Sequence, residues 1–221
     1  MNEPKRITLF AGHYGSGKTN VAVNYALYLR SLGKETVIAD LDIVNPYFRT
    51  KDSAELLERA GIELISPRFA NTNVDLPALP QEAYSLFHRR DRYGVLDIGG
   101  DDRGAYALGR YAPFILEEQN YEMLFVANMY RPLTRTAPEA LEVMREIEGA
   151  GGLRVTAIVN NSNLGEMTDA ETVLSSQKYA EKLSELSGLP VKFTSVKKEL
   201  CEALGGEEKG FFPMELQEKY F

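Results

Sequence analysis

The sequence predicts an α/β fold in which a mostly parallel, twisted sheet carries helices on both faces. Two observations support this. Short apolar runs alternate with helical stretches along the chain, the pattern of parallel strands joined by crossover helices. A glycine-rich run, residues 12–19, separates the first apolar run from the first helical stretch. With 221 residues, we expect one domain with a core of about 6–195 and a C-terminal extension over 196–221.

The first unit consists of a short strand, the glycine-rich run and a helix. Residues 6–11 are apolar and short enough for a buried strand, and residues 19–32 have helical spacing. Ala26 and Leu29 lie on the apolar face of that helix, and Gly33 is its expected C-cap.

The rest of the chain repeats this alternation. We expect further strands at 35–40, 62–65, 93–97, 122–127, 154–160 and 191–194. We expect helices around 54–60, 81–89 and 169–187, the last opened by a capping box of Thr168 and Glu171. Two segments depart from the pattern: a polar, proline-marked loop at 67–80, and a Glu/Lys-rich tail at 205–221 whose aromatic residues are expected to pack on the domain or on a partner.

The run Gly12-His13-Tyr14-Gly15-Ser16-Gly17-Lys18-Thr19 fits G-x-x-x-x-G-K-[ST], a loop that holds nucleotide phosphates. Its glycines permit backbone angles and close approaches that a Cβ would block. The N–H groups of such a loop and the helix that follows form an anion-binding concavity. The lysine reaches the outer phosphates and the threonine hydroxyl can ligate Mg²⁺.

Acidic side chains end two of the predicted strands. Asp97, followed by Gly99 and Gly100, is placed to hold Mg²⁺, or it caps the next helix. Gly100 is placed to give a backbone N–H to a γ-phosphate and to let the segment move when that phosphate leaves. Asp40 and Asp42 are expected on one side of their strand, so one supports the metal and the other orients a water, or both belong to an ordinary turn.

Two further polar clusters follow strands. Asn160 and Asn161 carry amides that suit the edge of a nucleotide base, although an ordinary turn explains them equally well. Residues 101–103 are charged and follow the Gly99-Gly100 turn, where they either contact a partner or substrate or only solvate the loop.

In this order, the phosphate loop, residues 39–42, residues 96–100 and Val159-Asn160 resemble the CobQ/CobB/MinD/ParA type of nucleotide-binding domain, a SIMIBI-class ATPase with the three-layer P-loop NTPase sandwich. The resemblance spans roughly residues 6 to 195. It implies ATP and Mg²⁺ as ligands, and ATP is favoured over GTP because the chain has no Asn-Lys-x-Asp guanine signature.

The resemblance also implies residue roles. Lys18 and Asp42 are the expected catalytic residues, with Asp42 near the attacking water. Asp97 is expected to bind Mg²⁺ through a water molecule that the ion coordinates. The expected metal-site residues are Thr19, Asp40 and Asp97. The expected nucleotide-binding residues are Gly12, His13, Tyr14, Gly15, Ser16, Gly17, Lys18, Thr19, Asn20, Gly100 and Asn160, the last at the adenine.

One position departs from the family pattern. MinD- and ParA-type members carry a second lysine after the first glycine of the loop, which reaches the partner's phosphates across a dimer, and His13 stands there instead. A neutral imidazole does not supply the same fixed charge. The sequence leaves a nucleotide-dependent homodimer open.

Composition excludes several classes. A formal charge of −7 argues against a general nucleic-acid binder. The cluster of Arg89, Arg90 and Arg92 is predicted to form the solvated face of a helix. The one cysteine, Cys201, excludes an internal disulfide and reads as a small, partly buried apolar residue. No hydrophobic leader or bilayer-length apolar run is present, so we expect a cytoplasmic protein that does not bind membranes.

Three functions are compatible with these residues. The first is a Mg²⁺-dependent ATPase that acts as a nucleotide-dependent switch on a partner protein. The second is a small-molecule kinase or ATP-dependent ligase, with Asn71, Asn73, Asp75 and residues 101–103 around the acceptor. The third is a nucleotide-binding partner protein with negligible turnover.

Overall fold

A computed structural model of the chain describes residues 3–42, 53–66, 81–100 and 102–216. Over these residues the strands are β1 Ile7–Ala11, β2 Thr36–Leu41, β3 Glu63–Ile65, β4 Tyr93–Ile98, β5 Tyr121–Ala127, β6 Ala157–Asn160, β7 Val191–Lys197 and β8 Phe211–Met214. The helices are α1 Lys18–Ser31, α2 Ala54–Arg59, α3 Ser85–His88, α4 Asp102–Glu118, α5 Ala137–Gly151, α6 Ala170–Ser175, α7 Gln177–Ser187 and α8 Lys198–Ala203.

The strands form one eight-stranded sheet in the order β3-β2-β4-β1-β5-β6-β7-β8, and every neighbouring pair is parallel. Apolar side chains leave both faces. One face packs against α4, α5 and α7 through residues such as Leu108 and Leu183. The other packs against α1 through residues such as Tyr25 and Phe10. The predicted α/β fold, a parallel sheet between two helical layers, is confirmed.

The first unit forms as expected, with small shifts at its ends. All five residues of β1 are buried, and α1 begins at Lys18, directly after Gly17 in the left-handed region. Gly33 ends the helix with a φ of +75°, and its N–H donates to the carbonyl of Arg30 over 2.9 Å. A glycine adopts this conformation at little steric cost.

The predicted tail contributes an eighth strand that the sequence did not reveal. Phe211, Phe212 and Met214 are buried, and the Phe212 ring lies 4.7 Å from the Phe193 ring, centroid to centroid. The expected packing on the domain is therefore found for these residues, as a strand paired with β7. Tyr220 and Phe221 lie outside the described residues. Cys201, 5% exposed, packs beneath this strand against Phe211.

Three other expectations need correction. The helix expected over 169–187 is two helices, α6 and α7, separated at Ser176. Its N-cap is Asp169, whose side chain accepts the N–H of Thr172, while the Thr168 hydroxyl bonds the carbonyl of Gly165. Strand β6 begins at Ala157 instead of 154.

The segment expected as a helix over 81–89 is a 3-10 turn followed by α3. The loop expected at 67–80 lies outside the described residues. Within the described ranges no helix combines the length and the apolar character needed to cross a bilayer.

Candidate nucleotide-binding site

The candidate site lies where the central strands end. β2, β4, β1, β5 and β6 are consecutive neighbours in the parallel sheet. Their carboxyl ends therefore meet at one edge, where open α/β sheets bind ligands. The segments that follow these five strands all leave from this edge.

The phosphate loop depends on glycine for both its backbone angles and its neighbours. Gly12, Gly15 and Gly17 have φ values of +152°, +75° and +88°, which L side chains rarely adopt. A Cβ at Gly12 would lie 2.5 Å from the carbonyl oxygen of Val126, and a Cβ at Gly17 would overlap the side-chain amide of Asn161. The loop is therefore pressed against the ends of β5 and β6.

Polar groups of the loop are held inside it. Lys18 is 5% exposed, and its Nζ lies 3.4 Å from the carbonyl oxygen of His13. Thr19 is buried beside it. The Ser16 hydroxyl is fully buried and has no hydrogen-bond partner among the described residues. A buried hydroxyl without a protein partner in a glycine-rich loop is consistent with a hydrogen bond to an oxygen of a bound phosphate.

The exposed part of the loop consists of Tyr14, 52% exposed, with His13 half-buried behind it. His13 donates from Nδ1 to the carbonyl of Tyr14 over 2.9 Å. Asn20, in the first turn of α1, accepts a hydrogen bond from Asn24 at its carbonyl.

The two asparagines after β6 have different environments. Asn161 donates from Nδ2 to the carbonyl of Ser16 over 2.6 Å and accepts from the Ser195 hydroxyl over 2.6 Å. It therefore fastens the phosphate loop to β6 and β7. Asn160 is fully buried, and its amide donates to Ser176 Oγ over 2.8 Å. The adenine contact of Asn160 stays a prediction, and it would require this amide to exchange its internal bond.

The acidic residues at the ends of β2 and β4 lie side by side. Asp40 and Asp97 are register partners, which places their Cα atoms about 5 Å apart on one face of the sheet. They are 2% and 1% exposed. Asp40 Oδ1 accepts the backbone N–H of Asp42 over 3.0 Å, just beyond the strand. Two adjacent buried carboxylates are stable as anions only with cationic compensation, which is the environment that a Mg²⁺ ion would supply.

The described residues include no group of three or more His, Cys, Asp or Glu side chains that would hold a metal by itself. A magnesium ion at Thr19, Asp40 and Asp97 would therefore take its other ligands from water and phosphate. Mg²⁺ commonly binds in this way, because it keeps much of its hydration shell.

The turn after β4 contacts the phosphate loop. A Cβ at Gly100 would lie 2.7 Å from Lys18 Nζ and 2.7 Å from the backbone nitrogen of Tyr14. A Cβ at Gly99 would lie 3.0 Å from the Cα of Gly104, in the first turn of α4, and 3.3 Å from Asp42 Oδ1. The turn therefore lies against the phosphate loop at Gly100 and against the first turn of α4 at Gly99.

Other residues of interest fall outside these contacts. Asn71, Asn73, Asp75 and Asp101 lie outside the described residues, as do the side chains of residues 102 and 103. The arginine cluster lies away from the site and is paired with carboxylates: Arg89 with Asp91, Arg90 with Glu118, and Arg92 with Glu35 and Glu63.

One neighbour of the phosphate loop was not expected from the sequence. Arg131 follows β5, and its Cδ and Nε would each lie 3.8 Å from a Cβ built on Gly15. The signal available in the sequence was positional: Arg131 lies four residues after the end of a strand that neighbours β1.

The sequence matches no known family model and no curated protein. In contrast, solved structures share its fold. The cell division protein FtsY from Thermotoga maritima has a TM-score of 0.58 at 19% identity, and the match covers 89% of this chain and 63% of that protein. FtsY from Mycoplasma mycoides has a TM-score of 0.58 at 18% identity over 88% of this chain and 60% of its own.

The 54 kDa signal recognition particle protein of Aeropyrum pernix, solved with GDP, has a TM-score of 0.54 at 16% identity. The matching region covers 88% of this chain and 42% of that one. The chain thus corresponds to about two fifths to three fifths of the length of these proteins. At these identities the likeness shows a common fold.

Proposed function

We propose that the protein binds a nucleoside triphosphate with Mg²⁺ at residues 12–19 and acts as a nucleotide-dependent switch on a partner protein. The observation that carries the proposal is the contact of Gly100 with Lys18 and Tyr14. The residue expected to contact a γ-phosphate thereby touches both the lysine and the backbone of the phosphate loop. A backbone segment so placed senses whether the third phosphate is present.

In this proposal each residue has a role that suits its position. Lys18 neutralises the outer phosphates, while the loop N–H groups and the Ser16 hydroxyl donate to phosphate oxygens. Thr19, Asp40 and Asp97 hold Mg²⁺, which supplies charge neutralisation at the phosphates. Asp42 orients the attacking water, as hydrolysis needs positioning more than covalent chemistry.

The preferred nucleotide is proposed to be ATP. The chain lacks an Asn-Lys-x-Asp segment, and β6 is followed by Asn161-Ser162-Asn163. Some neighbours by fold, including the Aeropyrum pernix protein, were solved with GDP, so guanine nucleotides are the necessary competitor. A fluorescent ATP analogue displaced more readily by ATP than by GTP supports the assignment; stronger displacement by GTP would reverse it.

Turnover is tested by phosphate release from ATP with Mg²⁺. We expect Lys18→Ala to abolish nucleotide binding and Asp42→Ala to retain binding while losing hydrolysis. Lys182→Ala is the matched control, because Lys182 is an exposed lysine on α7 whose ion-pair partner among the described residues is Glu185. Hydrolysis that is indifferent to both site substitutions would exclude the proposed switch.

A switch must also differ between its two nucleotide states. We propose that particle size, measured by light scattering with ADP and with a non-hydrolysable ATP analogue, distinguishes a homodimer from a monomer that captures another protein. A dimer seen only with the ATP analogue would support a switch that works by nucleotide-dependent dimerisation, although His13 stands where MinD- and ParA-type members have a lysine.

A further inference from the structure

The loop after β5 is a rigid structure anchored by buried hydrogen bonds. Asn128 is 1% exposed and Thr134 is fully buried. The carbonyl of Asn128 accepts the N–H of Arg131 over 3.1 Å and the hydroxyl of Thr134 over 2.8 Å. Tyr179, on α7, donates to the carbonyl of Thr134 over 2.8 Å. The two bonds to Asn128 close the loop on itself. The bond from Tyr179 holds its Thr134 end, and the N–H of Met129 donates to Ser162 Oγ over 3.1 Å at the other end, so both ends are held by neighbouring elements.

Arg131 occupies the outer position of this fixed loop. Its backbone is extended, with φ −110° and ψ 144°, the conformation favoured before a proline, here Pro132. A side chain on so constrained a backbone leaves in a defined direction, and that direction is toward Gly15. Gly15 itself has no side chain to cover the phosphate loop at this point.

The guanidinium of Arg131 is available for a ligand. Arg131 is exposed, and among the described residues no carboxylate forms an ion pair with it. The cluster of Arg89, Arg90 and Arg92 is different, because each of these has a carboxylate partner. An arginine held beside an anion-binding loop, with its own charge not compensated, matches the bidentate recognition of phosphate oxygens.

We propose that Arg131 is a second phosphate-binding cation, which acts in the same chain as the phosphate loop on the nucleoside triphosphate. This inference rests on the proposed nucleotide binding and deepens it. Lys18 supplies one fixed positive charge from inside the loop, and Arg131 supplies another from its outer side. The chain thereby provides two cations to the triphosphate with a histidine, not a lysine, at position 13.

The test compares Arg131→Ala, Arg131→Lys and Arg135→Ala. Arg135 is exposed, lies four residues further on and is not part of the site, so Arg135→Ala makes the same change in net charge. Affinities for a non-hydrolysable ATP analogue and for ADP, both with Mg²⁺, are measured by calorimetry. We expect Arg131→Ala to weaken analogue binding roughly tenfold or more, Arg131→Lys to recover part of this loss, and Arg135→Ala to match the wild type.

The outcomes separate the two proposals. If the wild type binds the analogue and Arg131→Ala binds it as tightly as Arg135→Ala does, the role of Arg131 is wrong while nucleotide binding stands. If the wild type binds neither nucleotide, both proposals fail. Thermal unfolding of each variant accompanies the titrations. A loss of affinity in Arg131→Ala that Arg131→Lys does not reduce, together with a lowered Tm, would indicate a structural role and overturn the inference.

Discussion

Alanine at position 100 tests the contact on which the proposed switch depends. The added methyl group would lie 2.7 Å from Lys18 Nζ, 2.7 Å from the Tyr14 nitrogen and 2.9 Å from the Tyr14 Cα. These separations are about 0.5–0.7 Å shorter than an ordinary contact of 3.4 Å. The lysine end can swing aside, but the Tyr14 atoms are backbone, so the phosphate loop or the turn must move.

Overpacking of this kind costs about 1–3 kcal/mol. If that cost falls on the bound state, the affinity for a triphosphate decreases about 5- to 150-fold at 25 °C. We expect a smaller loss for ADP, since Gly100 is proposed to contact the third phosphate. The assay is calorimetric titration of Gly100→Ala with a non-hydrolysable ATP analogue and with ADP.

Gly149→Ala is the matched control for this substitution. Gly149 lies within α5 and a Cβ there would meet no atom within 4 Å, so the change should stabilise the protein by about 0.5–1 kcal/mol through helix propensity. It should leave nucleotide affinity unchanged. If Gly100→Ala binds the analogue as tightly as the wild type and Gly149→Ala do, the turn after β4 does not report on the third phosphate.

Three other perturbations give independent checks. Asn161→Ala leaves the buried carbonyl of Ser16 without its donor, so we expect the free energy of unfolding to fall by about 1–3 kcal/mol in urea titrations; an unchanged value would contradict the anchoring role. Burial raises the pKa of the Cys201 thiol, so a thiol reagent at pH 7.5 should react much faster with the urea-unfolded protein, and equal rates would show an accessible thiol. Hydrogen bonds from Thr172 lower the pKa of the Asp169 carboxyl below its usual 3.8. The ionised cap therefore stabilises the folded protein at a pH above 3.8, and this contribution is lost as the pH falls through the lower pKa of the folded state. Asp169→Ala should therefore destabilise the protein at pH 7, by a margin that narrows in acid unfolding curves below about pH 4, whereas a pH-independent margin would refute the ionised cap.

The phosphate loop could be located from the sequence because its chemistry is local. Its glycine spacing, lysine and threonine lie within eight residues, and a strand and a helix flank them. The anchoring role of Asn161 and the proposed role of Arg131 depend on distances between loops far apart in the chain. A bond from Asn161 to Ser16 joins residues separated by 145 positions, and no local pattern encodes it.

The same distinction explains the errors in secondary structure. The break between α6 and α7 lies at Ser176, whose hydroxyl bonds both Val173 and the amide of Asn160. The bond between Asn160 and Ser176 joins residues of different elements, so the helical periodicity of the sequence does not indicate it. Strand β8 contains Pro213, which normally argues against a strand. Because β8 is at the edge of the sheet, the missing N–H of the proline need not cost a ladder bond.

The contacts among glycines suggest how a change at the phosphates would travel. Gly100 contacts the phosphate loop. Gly99, the residue before Gly100, lies so close to Gly104 in α4 that a Cβ on Gly104 would overlap the Gly99 backbone. The contact between Gly99 and Gly104 joins backbone atoms, so it has no side chain that could rearrange and absorb a displacement. In the proposed switch, a shift of Gly100 after loss of the third phosphate must therefore be accompanied by a shift at the start of α4. Since α4 packs against α5 on one side of the sheet, we expect that a partner of the proposed switch would distinguish the nucleotide states at these two helices.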